Sequence, residues 1–184
     1  LNQQIQNRYI GCIIGGAIGD ALGAPTEFMS LEDIIEHYGE QGVQSYVEFP
    51  DGRGEVTDDT QMLLFTADGL LRSIHRAELN GKWGAYLHIC HQSYLRWLDT
   101  QNDWHSKKAL IGVELNGWLI KQSFLYSRRA PGQTCLTALR SEDMGTMEHA
   151  INDSKGCGGI MRIAPVGLLF YENPSKAFKI GSEL

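Results

Sequence analysis

No stretch of this sequence stays apolar for anything near the roughly 20 residues that a helix needs to cross a bilayer, and its start lacks the basic-then-apolar order of a signal peptide. A cytoplasmic location without a membrane partner is therefore the expectation. Positive charge is also scarce: 16 Lys and Arg stand against 22 Asp and Glu, for a net charge of −6, and the basic residues form no cluster. Bulk binding to nucleic acid is disfavoured, because such binding rests on a basic face. The four cysteines, Cys12, Cys90, Cys135 and Cys157, include no Cys-x-x-Cys pair. Neither a zinc ribbon nor a redox motif is indicated, and reduced thiols are expected. His88 and His91 lie three apart without a third His or Cys at a ligand spacing, so they read as partly exposed helix histidines rather than a metal site. Period-two alternation and internal repeats are absent too, which leaves strands a minor part at most.

What remains is helical grammar. At 184 residues and 42% hydrophobic composition the chain can bury one core, and nothing marks a boundary, so residues 1–184 read as a single all-α domain, a compact orthogonal helical bundle. Residues 5–22 are apolar or small, with Gly11, Gly15, Gly16 and Gly19 among them. Interior glycines weaken a helix, so their number predicts a tightly packed central helix approached closely by another element. A phosphate-binding glycine loop is the other reading of such a run, but no strand precedes it and neither Gly-x-Gly-x-x-Gly nor a Gly-Lys-Ser/Thr ending is present. Ser30, Glu32 and Asp33 open a short helix that Gly39 stops. A helix over 58–78 carries Met62, Phe65, Leu70 and Ile74 on one face, and the next carries the seam Trp83, Leu87, Cys90, Tyr94 and Leu98. Further helical segments are expected around Leu115, Trp118, Leu119 and Leu125, over 134–140, after the glycine-rich loop 152–159, and from Pro174.

The most informative stretch is Thr57-Asp58-Asp59-Thr60-Gln61-Met62, where two adjacent carboxylates flanked by hydroxyls follow the loop Gly52-Arg53-Gly54 and open an apolar helix. Oxygen donors of this kind suit Mg²⁺, Mn²⁺ or Ca²⁺ rather than zinc. The same residues also make ordinary helix grammar, with Thr57 an N-cap and two acids complementing the helix dipole. Two other segments stand out. One is Gly15-Gly16-Ala17-Ile18-Gly19-Asp20-Ala21-Leu22-Gly23-Ala24-Pro25-Thr26-Glu27-Phe28, and the other is Ser154-Lys155-Gly156-Cys157-Gly158-Gly159-Ile160-Met161-Arg162-Ile163-Ala164-Pro165. Viewed alone, the second is also a flexible turn before a helix.

Together, in this order and at this rough spacing, the three segments resemble the ADP-ribosylglycohydrolase family. The resemblance implies an all-α fold that holds two divalent cations, Mg²⁺ or Mn²⁺, in a central cleft and hydrolyses the N- or O-glycosidic bond joining ADP-ribose to an acceptor. It implies that Thr57, Asp58 and Asp59 ligate the metals and that Asp59 takes part in catalysis. Glu27 matches an acid beside the metals that acts in catalysis or gates access. Asp20 lies in the same motif, within the substrate-binding region, in a more structural role. Ser154, Lys155, Gly156, Cys157, Gly158 and Gly159 match a loop that embraces the phosphates and ribose of the substrate, with Met161 and Arg162 behind it. The residue types suit that chemistry: cleaving a ribosyl bond builds an oxocarbenium-like centre, and rate is gained by fixing the sugar hydroxyls and delivering water to the anomeric carbon. Glycines in the loop let backbone amides approach a diphosphate.

Two departures from the family pattern bear on this reading. Family members supply their remaining metal ligands from a late Asp-x-Asp-Thr, which is not among these residues. The expectation is that the chain is the N-terminal portion of such a domain, with half the cage lying elsewhere, and is inactive as it stands. At Arg129-Ala130-Pro131-Gly132-Gln133-Thr134, where other members often place an acid before a similar Gly-x-Thr, no acid is found. A different class of function fits the same fold: a non-catalytic binding protein, such as an immunity factor that occludes an ADP-ribosyltransferase.

Overall fold

The computed structural model of the chain describes residues 2–81, 84–141 and 143–184, and every regular element among them is helical. Seven α-helices, α1 (Gln3–Gly23), α2 (Leu31–Tyr38), α3 (Asp58–Asn80), α4 (Tyr86–Thr100), α5 (Gln133–Arg140), α6 (Ala164–Leu169) and α7 (Pro174–Glu183), are joined by loops and short 3₁₀ turns. The all-α expectation holds. Among the described residues no helix is long and apolar enough to cross a membrane.

The helix boundaries follow from capping chemistry. Ser30 and Asp33 form a reciprocal capping box at the start of α2, and Gly39, at φ 78°, closes it. The Thr57 side chain caps α3, and Gly81 ends it in the left-handed region at φ 67°. Asn173 caps α7 ahead of Pro174.

α3 packs chiefly against α4, and this pair is the centre of the molecule. Met62, Phe65 and Leu70 of α3 are buried against Cys90, Tyr94, Trp97 and Leu98 of α4, and Leu136 and Val166 close the core from α5 and α6. Ile74 and Leu87 lie at the margin, half-buried, and Trp83 falls outside the described residues. The two helices approach closely because Gly69 has no side chain: a Cβ there would sit 2.7 Å from the Cα of Cys90.

Two expectations are corrected. α1 forms as a helix but is not a packed central one: Ala21 is its only buried residue, and Ile10, Ile14 and Ile18 are 55%, 54% and 44% exposed. Apart from the adjacent residues and the backbone of α1 itself, no atom of the described residues lies within 4 Å of where a Cβ would stand on Gly11, Gly15, Gly16 or Gly19, so these glycines leave a bare surface rather than admit a neighbour. The segment around Leu115 to Leu125 is not a continuous helix either. It makes two 3₁₀ turns, Leu119–Lys121 and Ser123–Leu125, because Gly117 adopts φ 113° and Arg72 of α3 binds the Asn116 carbonyl and side chain.

Gly69→Ala is expected to lower stability by about 1–3 kcal/mol, the cost of forcing extra volume between packed helices, whereas Gly15→Ala should raise it by up to about 1 kcal/mol through helix propensity alone. Thermal unfolding of the two variants checks the contrast. Equal losses would show that α1 packs as tightly as α3.

Candidate functional site

The site begins at the junction of α1 and α3. The Asp20 carboxylate, near the end of α1, accepts four hydrogen bonds from the first turn of α3: the Thr57 N–H at 2.9 Å, the Thr57 hydroxyl at 2.7 Å, the Thr60 N–H at 3.2 Å and the Thr60 hydroxyl at 2.5 Å. A helix N-terminus leaves its first amides without partners and carries partial positive charge, so a carboxylate there satisfies both. Both oxygens of Asp20 are thus engaged by the neighbouring helix. Thr57 both donates to Asp20 and accepts the Asp59 N–H at 3.3 Å. The capping role read from the sequence is real, and it leaves one hydroxyl lone pair free.

Asp58 and Asp59 follow at the helix start. Asp58 is 5% exposed, and the segment 127–132 grips it twice: its N–H donates to the Arg129 carbonyl at 3.0 Å, and its Oδ2 accepts the Gly132 N–H at 3.1 Å. The departure noted at 129–134 therefore has a structural answer, since the segment serves Asp58 through its backbone. Arg129 anchors the segment from behind by ion pairs to Glu48 and Glu55. Glu27 sits on the turn after α1, and among the described residues neither its carboxylate nor that of Asp59 is held by a hydrogen bond.

Negative charge accumulates here, and among the described residues no ion pair engages Glu27, Asp58 or Asp59. Burial pushes the Asp58 carboxyl up to about 6, opposed by the Gly132 N–H and reinforced by Asp59, Glu27 and Asp20. Asp59 is raised by burial and then by Asp20, and Glu27 by desolvation and then by Asp59 and Asp20. The Cys157 thiol is raised in the same way, by burial and then by Asp59.

Two clefts meet at this cluster. One, of about 490 Å³, has the bare glycine face of α1 (Gly15, Gly16, Gly19, Gly23) as its floor. The other, of about 240 Å³, runs between the acids and the glycine-rich loop. Glu27, Asp59, Cys157 and Met161 line both. Ser154, Gly156, Gly158, Gly159 and Arg162 line the second, whereas Lys155 is exposed and lines neither. Gly158 lets the loop lie on α5, because a Cβ there would be 2.7 Å from the Cys135 Sγ. The Arg162 guanidinium stacks over the Tyr94 ring at 4.7 Å, and its buried Nε has no partner among the described residues.

The structure thus gathers Asp20, Glu27, Thr57, Asp58, Asp59 and most of the loop 154–162 in one place. Sequence reasoning missed Thr60, Gly132 and Ala130. Thr60 was open to detection as the second hydroxyl of the same motif, but the backbone contacts of Gly132 leave no trace in side-chain chemistry. His88 is exposed and His91 half-buried, the latter lowered by burial and by His88. The described cysteines are free thiols. Among the described residues no three His, Cys, Asp or Glu side chains are arranged to hold an ion by themselves.

A carboxyl raised above its unfolded value binds more protons in the folded chain, so it destabilises the fold once ionised. For metal-free protein, stability is expected to rise as pH falls from about 7 toward about 5, through the titration of Asp58, and Asp58→Asn should flatten that dependence. Thermal melts across this range in the presence of a chelator measure it; a wild-type slope of the opposite sign would contradict the charge assignment.

The profile of the ADP-ribosylglycohydrolase family matches residues 1–184. Among curated proteins, an uncharacterized protein of Archaeoglobus fulgidus is 28% identical over 172 residues, covering 91% of this chain and 44% of that protein. The uncharacterized protein YegU of Escherichia coli is 26% identical, covering 88% of this chain and 42% of that protein. The ADP-ribosyl-[dinitrogen reductase] glycohydrolase of Rhodospirillum rubrum is 36% identical over 63 residues, 33% of this chain and 21% of that protein. The chain spans less than half the length of each of these relatives. No solved structure gives a significant match.

Proposed function

The chain belongs to the ADP-ribosylglycohydrolase family, and from that premise we propose that it forms the acid-bearing part of a divalent-cation-dependent hydrolase that frees ADP-ribose from a modified acceptor. The observation that carries this reading is the meeting of Glu27, Asp58 and Asp59 where two clefts join, with none of the three in an ion pair among the described residues.

The donor set fits hard cations. Thr57, Asp58 and Asp59 offer oxygen atoms only, with one Asp58 oxygen, both of Asp59 and one Thr57 lone pair not engaged by the described residues. These residues would hold two Mg²⁺ or Mn²⁺ ions together with water or further oxygen ligands. When bound, the ions supply Lewis acidity toward water and toward the ribose oxygens.

The chain's own residues supply the rest. Glu27, on the cleft rim with a carboxyl raised by desolvation and then by Asp59 and Asp20, takes the proton of the attacking water. Asp59 orients that water, and Asp20 holds the turn that carries Asp58 and Asp59 in place. The loop 154–159 receives the diphosphate on backbone amides, the Ser154 hydroxyl adds a donor, and Arg162 behind it supplies positive charge. Water becomes bonded to the anomeric carbon as the glycosidic bond breaks and the acceptor leaves with a proton.

In the full-length protein with Mg²⁺ or Mn²⁺, Asp58→Asn is expected to cut release of ADP-ribose by about 100-fold or more, the scale seen when a transition-state charge partner is lost. Release from ADP-ribosylated protein, nucleic acid and small acceptors is the assay. No release from any of them would overturn the hydrolase reading, and tight binding of a transferase without an ion would point to occlusion instead.

A further inference from the structure

Gln61 is 1% exposed, one turn beyond Asp58 on α3, and nothing in the chemistry above uses it. Its amide is engaged at both ends. The Oε1 accepts the Trp97 indole N–H at 3.0 Å and the Gln101 Nε2 at 3.1 Å, and the Nε2 donates to the Ser127 carbonyl at 3.0 Å. An indole N–H only donates, which fixes which way the amide faces.

Ser127 begins the segment that grips Asp58 through the Arg129 carbonyl and the Gly132 N–H. Within that segment Ala130 has φ +47°, an unfavourable conformation for a residue with a Cβ, which persists only where neighbours hold it. The segment is tied down by Arg128, paired to Asp103, by Arg129, paired to Glu48 and Glu55, and by Gln61. Asp58 and Gln61 are three apart on one helix and so project from the same face. A single element therefore presents the carboxylate and also anchors the loop that orients it.

We propose that Gln61 is a positioning residue: by tying Ser127 to the buried Trp97–Gln101 pair, it holds the segment 127–132 so that Gly132 fixes one oxygen of Asp58 and leaves the other turned to the cleft. This rests on the reading of Asp58 as a metal ligand, but the geometric part stands without any ion.

Gln61→Glu keeps the shape and, measured at a pH where its carboxyl is ionised, still accepts from Trp97 and Gln101 but has no hydrogen for Ser127. In metal-free full-length protein, exchange of the Gly132 and Asp58 amides is expected to quicken about 10-fold or more while that of the α3 interior does not change. Mn²⁺ affinity should fall about 10–100-fold, as for other residues that orient a metal ligand. Trp97→Phe removes a donor to Oε1 and keeps the Ser127 bond, so it should lower the melting temperature and leave Gly132 exchange and Mn²⁺ affinity at wild-type values. If Gln61→Glu does not fold, Gln61→Met, close in volume and without a donor, carries the same expectation. Wild-type Gly132 exchange in the Gln61 variant, or equal loosening in Trp97→Phe, would overturn the proposal. Asp58→Asn measured in parallel separates the two ideas: undiminished Mn²⁺ binding there sinks the ligand role of Asp58, while amide exchange still decides the role of Gln61.

Discussion

Four hydrogen bonds from the first turn of α3 converge on the Asp20 carboxylate, and they hold the turn that carries Asp58 and Asp59. Bonds to a charged acceptor contribute about 1.5–3 kcal/mol each when well made, so this junction fixes α1 to α3 although few of α1's side chains are buried. It also decides orientation. With Asp20 capping Thr57 and Thr60, Asp58 is turned to the segment 127–132 and Asp59 to the place where the two clefts meet.

The consequence is an electrostatic conflict held in place by the fold. Three carboxyls are raised by desolvation and then by acidic neighbours, with Asp20 acting on all three, and the hydrogen bond from Gly132 offsets only part of this for Asp58. Folded chains tolerate such clusters where function needs them. The surroundings suit a polar ligand: a side-chain-free glycine floor on α1, a glycine-rich loop opposite, and Arg162 as the nearby cation lining the second cleft.

Much of the fold was legible because capping and periodicity are local. Ser30 with Asp33, Thr57 at the head of α3, and the buried positions 90, 94 and 98 are all where the sequence places them. The failures have physical causes. Glycines at positions 11, 15, 16 and 19 permit either close packing or an open surface, and the sequence does not say which. Leu115 to Leu125 has helical spacing, yet Gly112 and Gly117 take positive φ and break it, a signal that was present but outweighed by the apolar pattern. At the site, side-chain chemistry singled out Asp58 and Asp59, and the family resemblance pointed to Glu27. The role of the segment 127–132 lies in a carbonyl and an amide that every residue type possesses, so only the folded geometry reveals it.

The central claim is that oxygen atoms of Asp58 and Asp59 face a divalent ion across the cleft. Anomalous scattering from a crystal of the full-length protein grown with Mn²⁺ tests it most directly. The account predicts manganese peaks within coordination distance of both carboxylates and of the Thr57 hydroxyl. Peaks elsewhere, or none, with both carboxylates turned onto backbone amides, would contradict it.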